Sequence, residues 1–184
     1  MAAMALLAVS CSDNENEMPQ PQPVPANATP IEIGQTITGL TKAAVVEGSN
    51  VTATVLMGDA VGGNHNWENF IAREENKLTS SQFAADDDRA NVAAATFVAG
   101  TTNKVGLNPP LYYAVNDNTM QSHLVAIAPA GRVDGQTVAF SVTDGLQDVM
   151  YADEKNAGTA TSKNDVLFTF KHLTTQIKFE VKLL

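Results

Sequence analysis

The chain has 184 residues, enough for one domain of ordinary size with a tail, and it carries 11 Lys+Arg against 20 Asp+Glu for a formal net charge of -9. That balance argues against nucleic acid, whose phosphates demand a basic surface, and against an electrostatic hold on anionic lipid. A single cysteine, Cys11, cannot form an internal disulfide.

The first ten residues, MAAMALLAVS, carry no charge. They match the apolar run of a secretion signal and fall short of the about 20 residues that span a bilayer. Ala8 and Ser10 are small, as a signal peptidase prefers, and Cys11 is followed by the polar, acidic SDNENEM. In that order these features are similar to a bacterial lipoprotein signal, in which the cysteine is diacylated and becomes the mature N-terminus. The expected segments are a signal over residues 1–11, a tether over 12–30 and a folded domain over 31–184. The tether holds five of the eight prolines, and proline cannot donate to a sheet, so extended chain is predicted there.

From Ile31 the hydrophobic period becomes two. IEIGQTI puts Ile31, Ile33 and Ile37 on one face, and VTATVLM does the same for Val51, Ala53, Val55 and Met57. AATFVAG, LYYAV, HLVAIA and TVAFSV follow, with Val138, Phe140 and Val142 as the inward set of the last. Many short alternating runs broken by Gly, Asn, Asp and Pro predict an all-β sandwich or barrel. One stretch departs from this. NWENFIAREENKL spaces Trp67, Phe70, Ile71 and Leu78 as a short helix would, with Asn66 as its cap.

At the end of the chain, Val166, Phe168, Phe170 and His172 share one parity, and Thr175, Ile177, Phe179, Val181 and Leu183 the other. A one-residue slip turns every side chain to the opposite face, so a break is predicted between His172 and Thr175. Phe140, Phe168, Phe170, Ile177 and Phe179 are expected to be buried, with Lys171, Lys178 and Lys182 outside.

Chemistry is sparse. His65, His123 and His172 are far apart, and none sits in a metal-ligand repeat. His172 reads as a partly buried histidine bonded to backbone. MGDAVGGN lacks the ending of a phosphate loop and reads as a turn. Asp86, Asp87 and Asp88 lack the spacing of a calcium loop and read as solvated chain. Tyr112 and Tyr113 could stack on sugar, although LYYAV is also a good strand. No catalytic residue, metal site or cofactor is expected, and an enzyme is disfavoured.

Three pieces are narrower in their meaning: AIAP at Ala126–Pro129, DVMYA at Asp148–Ala152 and FTFKHLTTQIKFEV at Phe168–Val181. In this combination the chain resembles the fimbrillin and fimbrillin-like family of Bacteroidota, the lipoprotein-derived subunits of surface fimbriae. The resemblance implies a transthyretin-like β-sandwich of about seven strands and a precursor lipidated at Cys11. It also implies location at the cell outer membrane and in the fimbrium, with proteolytic removal of the N-terminal segment. A strand from another fimbrial subunit would then fill the opened groove. Family members are cut after Arg in a TRA-like stretch. Here the corresponding piece is TKA, so Lys42 is the expected processing site. The partners implied are other subunits, the membrane through the lipid, and a host or bacterial surface ligand. The family's C-terminal domain is expected to be absent or truncated after Leu184. A different reading of the same residues is a surface glycan-binding lipoprotein, for which an exposed aromatic platform would be the mark.

Overall fold

A computed structural model describes residues 26–36, 48–70, 72, 91–101, 103–115, 117–134, 137–141 and 148–173. The strands in chain order are β1 (Glu32–Thr36), β2 (Asn50–Val61), β3 (Val92–Val98), β4 (Val105–Gly106), β5 (Met120–Ala128), β6 (Arg132–Asp134), β7 (Thr137–Ala139), β8 (Met150–Gly158) and β9 (Leu167–His172). Seven of them join in one sheet in the order β3-β2-β5-β8-β9-β1-β4, and β6 and β7 form a separate hairpin. The all-β expectation therefore holds, with seven strands in the main sheet.

The sheet curls until its two ends meet. Asn108, just past β4, exchanges both backbone hydrogen bonds with Ala94 of β3, at 2.7 and 2.9 Å. The ring of Phe97 on β3 meets that of Phe170 on β9 edge-on, with centroids 5.3 Å apart, although three strands separate them in the sheet. The inner faces of the two halves thus enclose one core. Val51, Ala53, Val55 and Met57 supply it from β2, and Leu124, Ala126 and Ala128 from β5. Val166, Phe168 and Phe170 close it from the β9 side. These are the sets that the period of two picks out, because a strand with one face in the core must be apolar at every second position. Lys171 is exposed, as alternation requires.

A smaller apolar cluster lies on the outer face of β2 and β5. Leu56, Val125 and Phe70 are buried there, with Trp67, Val133, Val138 and Tyr151 packed against them. It corrects the reading of TVAFSV. Val138 belongs to the outer hairpin, and Phe140 is half-buried rather than part of the main core. Of that alternating set, Val138 is the member that packs on the second cluster.

Three local expectations also change. LYYAV forms no regular strand, although Leu111 and Tyr113 are buried. Most of MGDAVGGN continues β2, and the turn is confined to Gly62 and Gly63, whose φ values of 71° and 67° suit glycine. The helical stretch is a single 3₁₀ turn over Trp67–Asn69 among the described residues, capped as expected by Asn66, whose side chain accepts from the Glu68 N–H at 3.1 Å. β9 ends at His172, and the second frame of the expected break, Thr175 to Leu183, lies outside the described residues. Ile37, Ile71, Leu78, Val142, Ile177, Phe179, Lys178, Lys182 and the Asp86–Asp88 run lie outside the described residues.

Candidate functional site

β1 is the element with the most to say about function. The sheet order places it between two neighbours, so it is no edge strand. Along one side it runs parallel to β9, pairing Gly34 with Leu167, Gln35 with Phe168 and Thr36 with Thr169. Along the other it runs antiparallel to β4, pairing Glu32 with Gly106 and Ile33 with Val105. The pairing continues upstream, where the Ile31 N–H donates to the Leu111 carbonyl at 2.8 Å and the Tyr113 N–H to the Thr29 carbonyl at 3.1 Å.

Inward, β1 offers two plugs. Ile31 is 2% exposed and Ile33 is fully buried, and each joins the main core. Full burial of an aliphatic side chain of this size stabilises by about 1.5–3 kcal/mol. Outward, Glu32 and Gly34 border a hollow of about 510 Å³, completed by Lys104, Tyr113, Lys163, Asp165 and Val166 among others. Glu32 stands 3.9 Å from the Lys104 ammonium, and the Lys163 ammonium lies 5.9 Å from the centre of the Tyr113 ring. The slot that holds β1 therefore has apolar sockets on its floor, unsatisfied strand edges on both walls were it emptied, and cations at its rim.

Tyr113 closes the inner end of this region, donating its hydroxyl to the Ala157 carbonyl at 3.2 Å. Burial, and then the nearby charge of Glu32, raises its ionisation above the ordinary 10.0. Burial also raises Tyr151. A phenol that resists ionisation when folded loses its proton first in the unfolded chain. Stability is therefore intact below a pH of about 10 and falls as the pH climbs past it. A Tyr113→Phe variant is expected to show a shallower alkaline fall in melting temperature between about pH 9 and 11. An unchanged slope would show that Tyr113 does not carry this dependence.

A second polar centre escaped the sequence reading. Glu154 on β8 receives Nδ1–H of His123 at 2.7 Å, Nε1–H of Trp67 at 2.5 Å and the backbone N–H of His65 at 3.3 Å. His123 is fully buried. The imidazole of His65 rests on Gly58, where a Cβ would overlap it, and its Nδ1 bonds the Asp59 carbonyl at 3.1 Å. This carboxylate thus fastens the Gly62–Phe70 strap over the outer apolar cluster. Sequence spacing could not find it, because its parts come from three segments. The β5–β8 register shift between Leu124 and Ala126 also breaks the alternation near Glu154. Two of the three histidines meet here. His172 lies elsewhere, partly buried as expected, but its Nδ1 stands 2.5 Å from the Asp148 carboxylate, so the neighbour of its imidazole there is a side chain rather than the expected backbone group.

No group of three His, Cys, Asp or Glu side chains among the described residues could hold a metal ion. None of the described Trp, Tyr and Phe residues is exposed. Tyr112 is half-buried and Tyr113 buried, so the aromatic platform that would favour glycan binding is not formed by them. Cys11 and Lys42, the sequence-predicted lipidation and processing residues, lie outside the described residues.

The fimbrillin-like family model matches residues 65–183 of the chain, a stretch that begins after β1 and β2. No curated protein and no solved structure matches significantly.

Proposed function

The chain belongs to the fimbrillin-like family, and on that premise we propose that it is a cell-surface lipoprotein serving as a structural or adhesive component of fimbriae, assembled by strand addition. The family is one of structural subunits rather than enzymes, and it points to association with other subunits at the cell surface. The finer reading is carried by one observation: β1 fills a two-walled slot with Ile31 and Ile33 as plugs. An emptied slot would expose apolar sockets and two rows of backbone groups, and such a vacancy recruits another strand. Cutting after Lys42, downstream of β1, would free β1 to leave and another subunit's strand to replace it.

Limited trypsin digestion of the folded chain tests this. Cleavage at Lys42 is expected to leave a folded remainder that takes up a labelled strand peptide or self-associates. A protected Lys42, or a cut chain that stays monomeric and binds no strand, would move the balance to a simple surface-binding domain.

Anchorage at Cys11 to the outer membrane is part of the same proposal. Each buried CH₂ contributes about 0.8 kcal/mol, so several acyl chains would hold firmly where one would not. The parent is expected to partition into membranes and Cys11→Ser to remain in the aqueous fraction, and equal partitioning would remove the lipid anchor from the account.

A further inference from the structure

We infer that the β1 slot selects its incoming strand: it takes a segment with aliphatic residues at two inward positions, an acidic residue between them, and a direction parallel to β9. This inference rests on the strand-addition reading above and names the chemistry of the partner strand.

The floor sets the first requirement. Ile31 and Ile33 are among the largest fully buried side chains of the described residues, and one residue separates them. A strand places alternate residues on one face, so both sockets fill only from positions two apart. A polar residue in either socket would be buried without a partner.

The rim sets the second. Glu32 departs with β1, and the charged residues then left lining the hollow are Lys104, Lys163 and Asp165, a net of +1 from two lysines and one aspartate. The emptied site is thus locally cationic in a chain whose net charge is -9. An acidic residue at the central outward position restores the Glu32–Lys104 pair, whereas a lysine there faces Lys104 and adds to the net positive charge of the hollow. Both members of that pair are well exposed, with side-chain exposures of 63% and 69%, so charge tunes the choice and the sockets dominate it. The next outward position is roomy. A Cβ at Gly34 would make only ordinary contacts, 3.4 Å from the Val166 carbonyl and 3.5 Å from Leu167.

The walls set the third. One neighbour of β1 is parallel and the other antiparallel. A strand entering in reverse would be antiparallel to β9 and parallel to β4. It would meet the Leu111 carbonyl and the Tyr113 N–H, which now bond Ile31 and Thr29, in the wrong register.

The test uses the full chain, nicked at Lys42 with β1 still seated, and follows displacement by labelled peptides. The probes are the peptide Pro30–Thr36, the same peptide with the central Glu changed to Lys, the same with the second Ile changed to Ser, and its reversed sequence. The Ser peptide is expected to bind at least about tenfold more weakly. The reversed peptide should do likewise, and the Lys peptide should lose about threefold at low salt. Lys104→Glu in the protein is expected to reverse the preference between the Glu and Lys peptides. Equal exchange by all four would overturn the selectivity while leaving strand addition standing. If none exchanges, strand addition itself fails, and the selectivity with it. In the uncut chain, Glu32→Lys is expected to lower the melting temperature and Lys104→Glu to restore it in the double variant. Absence of that rescue would remove the charge requirement.

Discussion

Replacing Phe168 with Ala is expected to destabilise the domain by about 3–5 kcal/mol. Phe168 is fully buried on β9, packs against Phe170 with ring centroids 6.2 Å apart, and sits at the backbone register of Gln35 on β1. Truncation would leave a cavity where the core meets the β1 slot. Domains of this size have a total stability of roughly 5–15 kcal/mol, so the variant should be partly unfolded or melt far below the parent. Chemical denaturation measures it. A variant that matches the parent would show that the even-numbered face of β9 is not the core face.

Replacing Glu154 with Leu is expected to have an effect of similar rank by a different route. Its carboxylate serves three donors, from His123, Trp67 and His65. Leu has similar bulk and no acceptor, so the donors would be left facing an apolar group. A buried donor without a partner costs about 1–3 kcal/mol, and His123 has no exposure through which water could compensate. A loss of about 3 kcal/mol is expected, together with release of the strap. Trp67 is the chain's only tryptophan, which makes its fluorescence a direct reporter. The emission should shift to the red in Glu154→Leu even under conditions where the main sheet remains folded. Unchanged emission would mean that the strap is held by Phe70 and its apolar neighbours alone.

These two residues mark what the sequence made legible. Phe168 could be placed in the core because alternation from Val166 to His172 is a local property, and burial of one sheet face enforces it. The same logic identified the first half of β2, Val51–Met57, and the C-terminal part of β5, His123–Ala128. It could not say which apolar face meets which core: Val138 packs on the outer cluster rather than in the main core, while Phe140 is only half-buried. Nor could it see that β1 is wedged between a parallel and an antiparallel neighbour. That arrangement depends on β9, more than a hundred residues away, and local periodicity carries no partner information. Glu154 was hidden for a related reason. Its role exists only once the strap, β5 and β8 are brought together, and the three histidines look equally isolated in the chain.

The central claim is that β1 leaves its slot and another strand enters, and a reversible lock measures this most directly. Glu32 and Gly106 face each other across the antiparallel β1–β4 pair, and a Cβ at Gly106 meets nothing within 4 Å. Directly opposed antiparallel residues have Cα atoms about 4.5–5.5 Å apart, within the range of a disulfide. With both changed to Cys in a Cys11→Ser background, these are the only thiols in the chain. The chain is nicked at Lys42, mixed with a labelled strand and followed with and without reductant. No uptake is expected while the lock is closed, and uptake once it is reduced. The same uptake in both states would contradict the claim.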